Sequence, residues 1–144
     1  MKIKELLKTV NVAWSPPAQY PILLAAGTAA QQLDASFNTS ASLDLYSLNL
    51  QQPGYDLELK TSVASDHRFH KIIWGSYGNN PAGIIVGGCD YGMIKIYSAA
   101  KMLANDNNYL ISSPDRHTGP VRALDFNPFQ ANLLATGATE SEIY

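Results

Sequence analysis

Residues 116–128 read RHTGPVRALDFNP, and the chain continues FQANLLATGA through residue 138. Gly119 and Pro120, both turn-formers, stand directly before an alternating apolar run that stops at Asn127-Pro128. LLATGA (133–138) is different: an apolar pair passes into small residues without alternation, which suits a strand covered on both faces. The stretch therefore reads as connection, strand, turn and second strand. His117, at the start of the connection, is placed to hydrogen-bond across a turn and tie the loop to the sheet.

The same order recurs twice upstream. VAWSP (12–16), IIWGS (72–76) and LDFNP (124–128) each end an apolar strand with an aromatic residue before a turn. Trp14, Trp74 and Phe126 are thus candidate structural equivalents. LLAAGT (23–28) and IIVGGC (84–89) match LLATGA, while LDLYSL (43–48), IKIYS (94–98) and EIY (142–144) supply an alternating strand around Tyr46, Tyr97 and Tyr144. Repeats of about forty to fifty residues with several strands each are the signature of propeller blades. The fold expected is all-β: an incomplete β-propeller of about three four-stranded blades, at about 10–63, 64–113 and a truncated 114–144.

The remaining elements follow locally. DLELKTSVAS (56–65) and NNYLISS (107–113) read as outer strands, and Asp90-Tyr91-Gly92 as a tight hairpin turn. SAAKMLAND (98–106) is the plausible helical turn. Gly87, Gly88 and Gly137 suggest close approach of neighbouring blades. Val121, Ala123 and Leu124 are expected to face apolar surroundings. IKELLKTV (3–10) reads as a starting strand whose partner lies beyond these residues, since three blades cannot close a ring.

Bulk properties narrow the function. Of 144 residues, 46% are hydrophobic and 15% charged, with a net charge of −2. That balance allows a sizeable core and argues against non-specific nucleic-acid binding, which needs clustered Lys and Arg. One cysteine, Cys89, precludes an internal disulfide and reads as a small buried apolar residue. MKIKELLK followed by PILLAAGTAA imitates a signal peptide, but Pro16, Pro17 and Gln19 interrupt it and the apolar run is short. The chain reads as cytosolic, where the Asn38-Thr39-Ser40 sequon has no use.

AWSP (13–16), ILLAAGTAAQQLDASFNTSASLDLYSLNL (22–50), HRFHKIIWG (67–75) and RHTGPVRALDFNPFQANLLATGATESEIY (116–144) resemble a WD-repeat sequence. More narrowly, they resemble the amino-terminal propeller of the large outer-cage subunit of the COPII vesicle coat, across essentially the whole chain. The resemblance implies a scaffold in transport from endoplasmic reticulum to Golgi. It implies as partners the smaller propeller subunit of the outer coat and the inner-coat subunits, largely through regions downstream. It also implies peripheral membrane association at endoplasmic reticulum exit sites and on coated vesicles. The sequence departs from the pattern at Tyr144, where a Trp-Asp dipeptide is expected. In the polar network that braces such blades, His117 is present but TES (139–141) lacks an aspartate. Asp90 is present in the second blade, with His67 or His70 as partner.

Other chemistry finds little support. Asp66, His67 and His70 include a His-x-x-His pair, too few ligands for a closed zinc site without a nearby cysteine. GSYGNNPAGIIVGG (75–88) lacks the spacing and Lys-Ser/Thr of a phosphate loop. A Gly-x-Ser-x-Gly elbow is missing. No catalytic, cofactor or metal residue is therefore expected. The alternative to a coat scaffold is a WD-repeat adaptor of a different complex, and an enzyme would need a polar cluster converging in the central channel.

Overall fold

The computed structural model describes the whole chain except residues 30, 31, 34–38, 78 and 79. Asn38 of the sequon and most of the 29–40 loop fall outside the described residues.

Three antiparallel sheets follow one another along the chain. The first contains β1 (Val10–Trp14), β2 (Leu23–Thr28), a two-residue β3 (Gln32–Leu33), β4 (Thr39–Ser47) and β5 (Glu58–Ser65). Its order is β1-β2-β4-β5, with β3 paired to the start of β4. The second is the meander β6 (Phe69–Tyr77), β7 (Asn80–Cys89), β8 (Ile94–Ser98) and β9 (Leu110–Ser112). The third pairs β10 (Val121–Phe126) with β11 (Leu134–Ala138), and an isolated bridge joins Gly137 to Ile143. A single helical turn, α1 (Ala99–Leu103), follows β8, and the Lys101 N–H donates to Ser98 Oγ at its start.

The stacking follows from strand alternation. Successive side chains point to opposite faces, and in β7 both faces are covered. Ile85 joins a core with Leu23, Leu43 and Leu45 of the first sheet. Its neighbour Val86 joins a second core with Val121 and Leu124 of the third. The central sheet is thus sandwiched, which is why IIVGGC shows no alternation. Gly88 permits this closeness: a Cβ there would meet the Val121 carbonyl oxygen and lie 3.0 Å from Val121 Cγ1. Gly137 does not mark such an approach, because the nearest neighbour of a Cβ there is Ala123 of its own sheet, at 3.3 Å.

The three aromatic residues share one register position. Trp14 pairs with Leu24, Trp74 with Ile85 and Phe126 with Leu134, the second residue of each apolar run. Trp74 is 9% exposed, within the first core, and its Nε1 donates to the Ala82 carbonyl at 2.6 Å. Phe126 packs against the second core. A Cβ on Gly75 would stand 2.7 Å from its ring. Trp14 is 57% exposed, because the face it occupies is the one the first sheet turns away from the second.

Four further local expectations fail. Residues 3–9 form no strand, and β1 starts at Val10. The segment lies instead on a first-sheet loop: Lys4 Nζ donates to the Gln52 and Gly54 carbonyls, and the Glu5 N–H donates to Tyr55 O. Ala123 is exposed although Val121 and Leu124 are buried, since a bulge between 121 and 123 breaks the alternation. EIY forms only the bridge at Ile143 instead of a strand. Finally, Tyr144 is not the equivalent of Tyr46 and Tyr97. Those two pair with Leu24 and Ile85, whereas Tyr144 exchanges both backbone hydrogen bonds with Thr136 and so occupies the row of Asp44 and Lys95.

Candidate functional site

Polar side chains gather where the loop leading into each sheet reaches over it: onto β4 in the first sheet, β8 in the second, and β11 with residues 142–144 in the third. In the first sheet, Lys8 Nζ lies 3.0 Å from Asp44 Oδ2. Ser62 Oγ donates to Asp44 Oδ1 at 2.5 Å and Tyr46 donates to Oδ2 at 3.2 Å. Burial pushes the Asp44 carboxyl up, but the hydrogen bonds from Ser62 and Lys8 outweigh it and hold it below the usual carboxylate range. The same contact raises Lys8.

In the second sheet, Lys95 Nζ donates to Asp66 Oδ1 and, at 3.2 Å, to Ser65 Oγ. The Lys95 hydrogen bond draws the Asp66 carboxyl down to about 2. Beside it, His70 Nε2 lies 2.5 Å from Asp90 Oδ1, and Arg68 Nε donates to both Asp90 oxygens, at 3.0 and 3.2 Å. Burial raises Asp90, while His70 and Arg68 more than offset it and leave it lowered. Asp90 therefore takes His70, not His67, as its histidine partner. His67 Nδ1 sits 2.9 Å from Asp66 and the ring meets Tyr91 edge-on.

In the third sheet, His117 is buried. Its Nε2 lies 2.8 Å from Thr136 Oγ1 and its Nδ1 lies 3.3 Å from Glu142 Oε2. The Tyr144 ring meets it edge-on with centroids 4.9 Å apart. The carboxylate that meets His117 thus comes from Glu142, just after TES. Thr136, Glu142 and Tyr144 were not legible as His117 partners, because their meeting depends on the β10–β11 register. His117→Ala strands a buried threonine hydroxyl and should cost about 1–3 kcal/mol in urea unfolding. Adding Thr136→Val should recover part of that loss, since both polar groups are then gone.

The lowered carboxylates predict acid sensitivity. Asp44, Asp66 and Asp90 all titrate below an ordinary aspartate's 3.8 when folded, so the native state binds fewer protons than the unfolded one. Their stabilisation is present above that value and is lost as pH falls from about 4 toward about 2. The Asp66 side chain is 76% exposed, so solvent screens it, whereas Asp44 at 3% is the least screened of the three. Thermal midpoints of Asp44→Asn should therefore fall less steeply below about pH 4 than those of the parent chain.

Reactive arrangements are lacking among the described residues. No three His, Cys, Asp or Glu side chains come together as a metal site there. Cys89 is fully buried, and burial pushes its thiol up to about 12, which keeps it protonated and unreactive. Apolar grooves among the described residues include two at the surface. One, of about 430 Å³, lies beside Trp14, Pro16, Pro17, Tyr20 and Ile22. The other, of about 220 Å³, opens between the second and third sheets at Tyr77, Ile84, Ile111 and Phe126. Neither is lined by a charged side chain.

Successive antiparallel sheets stacked face to face, two of them running through four strands in order and the third through β10 and β11, with the polar residues of the lead-in loops clasping each sheet, define a WD-repeat β-propeller segment. Solved structures agree on the fold: a chain of the Chaetomium thermophilum Polycomb Repressive Complex 2 bound to GSK126 superposes with a TM-score of 0.67. It is 12% identical and is matched over 99% of this chain and 30% of its own. No family model matches the sequence. Curated relatives are much closer. The chicken protein transport protein Sec31A is 49% identical over 148 residues, and mouse Sec31B is 50% identical over 147. The Dictyostelium discoideum SEC31 is 39% identical over 153. These matches take in 99–100% of this chain but only 11–13% of the relatives' length. Over its whole length, the chain belongs to the Sec31 family.

Proposed function

We propose that the chain is a structural part of the outer subunit of the COPII coat, supporting vesicle formation and protein transport from endoplasmic reticulum to Golgi. The observation that carries this reading is 47–50% identity, across the full chain, to vertebrate proteins named for protein transport. The geometry fits it: the polar side chains described above are engaged in bracing loops to sheets, and apolar grooves without charged lining face solvent. Such surfaces suit docking, with exposed aromatic anchors such as Tyr20 and Tyr77 supplying affinity. The role is that of a non-enzymatic scaffold, peripheral to the membrane at exit sites and on coated vesicles. Its partners are the smaller propeller subunit and the inner-coat subunits. No described helix is long and apolar enough to cross a membrane.

In this reading the three blades span about 10–63, 64–113 and 114–144, and Trp14, Trp74, Phe126, Asp90 and His117 are structural residues of those blades. Affinity purification of the full-length protein from microsomes tests it. GTP-dependent recovery of coat subunits is the expected result. Recovery of an unrelated complex without coat subunits would favour the adaptor reading instead.

A further inference from the structure

One register position carries opposite charge in the first two sheets. Asp44 on β4 pairs with Ala26, and Lys95 on β8 pairs with Gly87. Both rows lie the same distance from the aromatic row of Trp14 and Trp74. The lead-in loop of each sheet reaches over to this position, with Lys8 meeting Asp44 and Asp66 meeting Lys95. In the first sheet the loop is cationic and the strand anionic; in the second the signs are reversed. Lys8 carried to the second sheet would face Lys95, whose side chain is 8% exposed. Asp66 carried to the first would face Asp44, at 3%.

We propose that this reversed polarity is a specificity device that directs each lead-in segment onto its own sheet and opposes exchange between the first and second blades during folding. The apolar rows discriminate weakly: Trp14 matches Trp74, Leu24 matches Ile85 and Tyr46 matches Tyr97. Similar repeats misassemble because their hydrophobic faces accept one another. A like-charge contact at a poorly solvated position penalises the wrong pairing while leaving the right one intact. The third sheet, with His117, Thr136 and Tyr144 in this place, is set apart by a third chemistry. The inference is independent of the coat assignment, since it concerns assembly of the blades alone.

Three variants of the full-length protein test it: Lys8→Asp with Asp44→Lys, Asp66→Lys with Lys95→Asp, and all four changes together. Each double variant keeps an opposite-charge pair but gives both sheets the same polarity. The quadruple variant contains both altered pairs and restores the opposition. After dilution from denaturant, correctly assembled chains are those in which the Cys89 peptide is protected from a maleimide pulse. We expect each double variant to lose about two-fold or more in that fraction, and the quadruple to return toward the parent. A quadruple no better than its worse double would assign the loss to local geometry and overturn the proposal. So would two doubles that refold like the parent.

Discussion

Trp74→Ala is expected to lower stability by about 3–5 kcal/mol, the cost of emptying a large aromatic site in a packed core. The residue is 9% exposed among Leu23, Ile85 and Tyr97, and its Nε1–H satisfies the Ala82 carbonyl. Removing it opens a cavity along the seam between the first two sheets and leaves that carbonyl without its side-chain donor. The equivalent change, Trp14→Ala, should cost well under half as much in the same 144-residue chain, because more than half of that ring is already in water. Urea midpoints of the two variants measured side by side check the contrast. Equal losses would mean that the two sheets do not stack as described.

Gly92→Ala is the second large effect. Gly92 has φ +76°, and a Cβ there would run into the His117 backbone carbonyl. A left-handed alanine costs about 1 kcal/mol. The clash adds about 1–3 kcal/mol more, as overpacking does, because the obstacle is main chain that cannot rotate away. The His117 N–H also reaches the Gly92 carbonyl, at 3.4 Å, so the turn after β7 and the lead-in loop of the third sheet are fitted to each other. We expect hydrogen exchange to accelerate at Val121 and Leu124 before it does at Leu43 and Leu45. Uniform acceleration would show instead that the seams open together.

Much of this architecture was legible in the chain. Period-two alternation in IKIYS, the uninterrupted apolar run IIVGGC and the Asp90-Tyr91-Gly92 turn are local signals. Each was realised where the residues placed it, as β8, β7 and a turn with Tyr91 at φ 58°. Errors arose where a local pattern competed with packing. IKELLKTV reads as a starting strand, yet its apolar residues fall at 3, 6, 7 and 10 without alternation; Lys4 finds carbonyls on the loop at 52–54, Lys8 finds Asp44, and residues 3–9 gain no ladder. EIY resembles LDLYSL and IKIYS, but a pattern of letters cannot count register, and Tyr144 lands on the row of Asp44 and Lys95.

The braces were the least legible part. Lys8 and Asp44 are 36 residues apart, Asp66 and Lys95 are 29, and His117 and Thr136 are 19. Taken singly, each is an ordinary polar residue in a loop or on the wet side of a strand. The amino-acid sequence by itself determined the strands, their order and the turns, because alternation, glycine and proline act over a few residues. Tertiary structure alone decided which faces meet and which charges pair. Those outcomes depend on strand register and sheet stacking, which bring distant residues within hydrogen-bonding reach and take carboxylates such as Asp44 out of water.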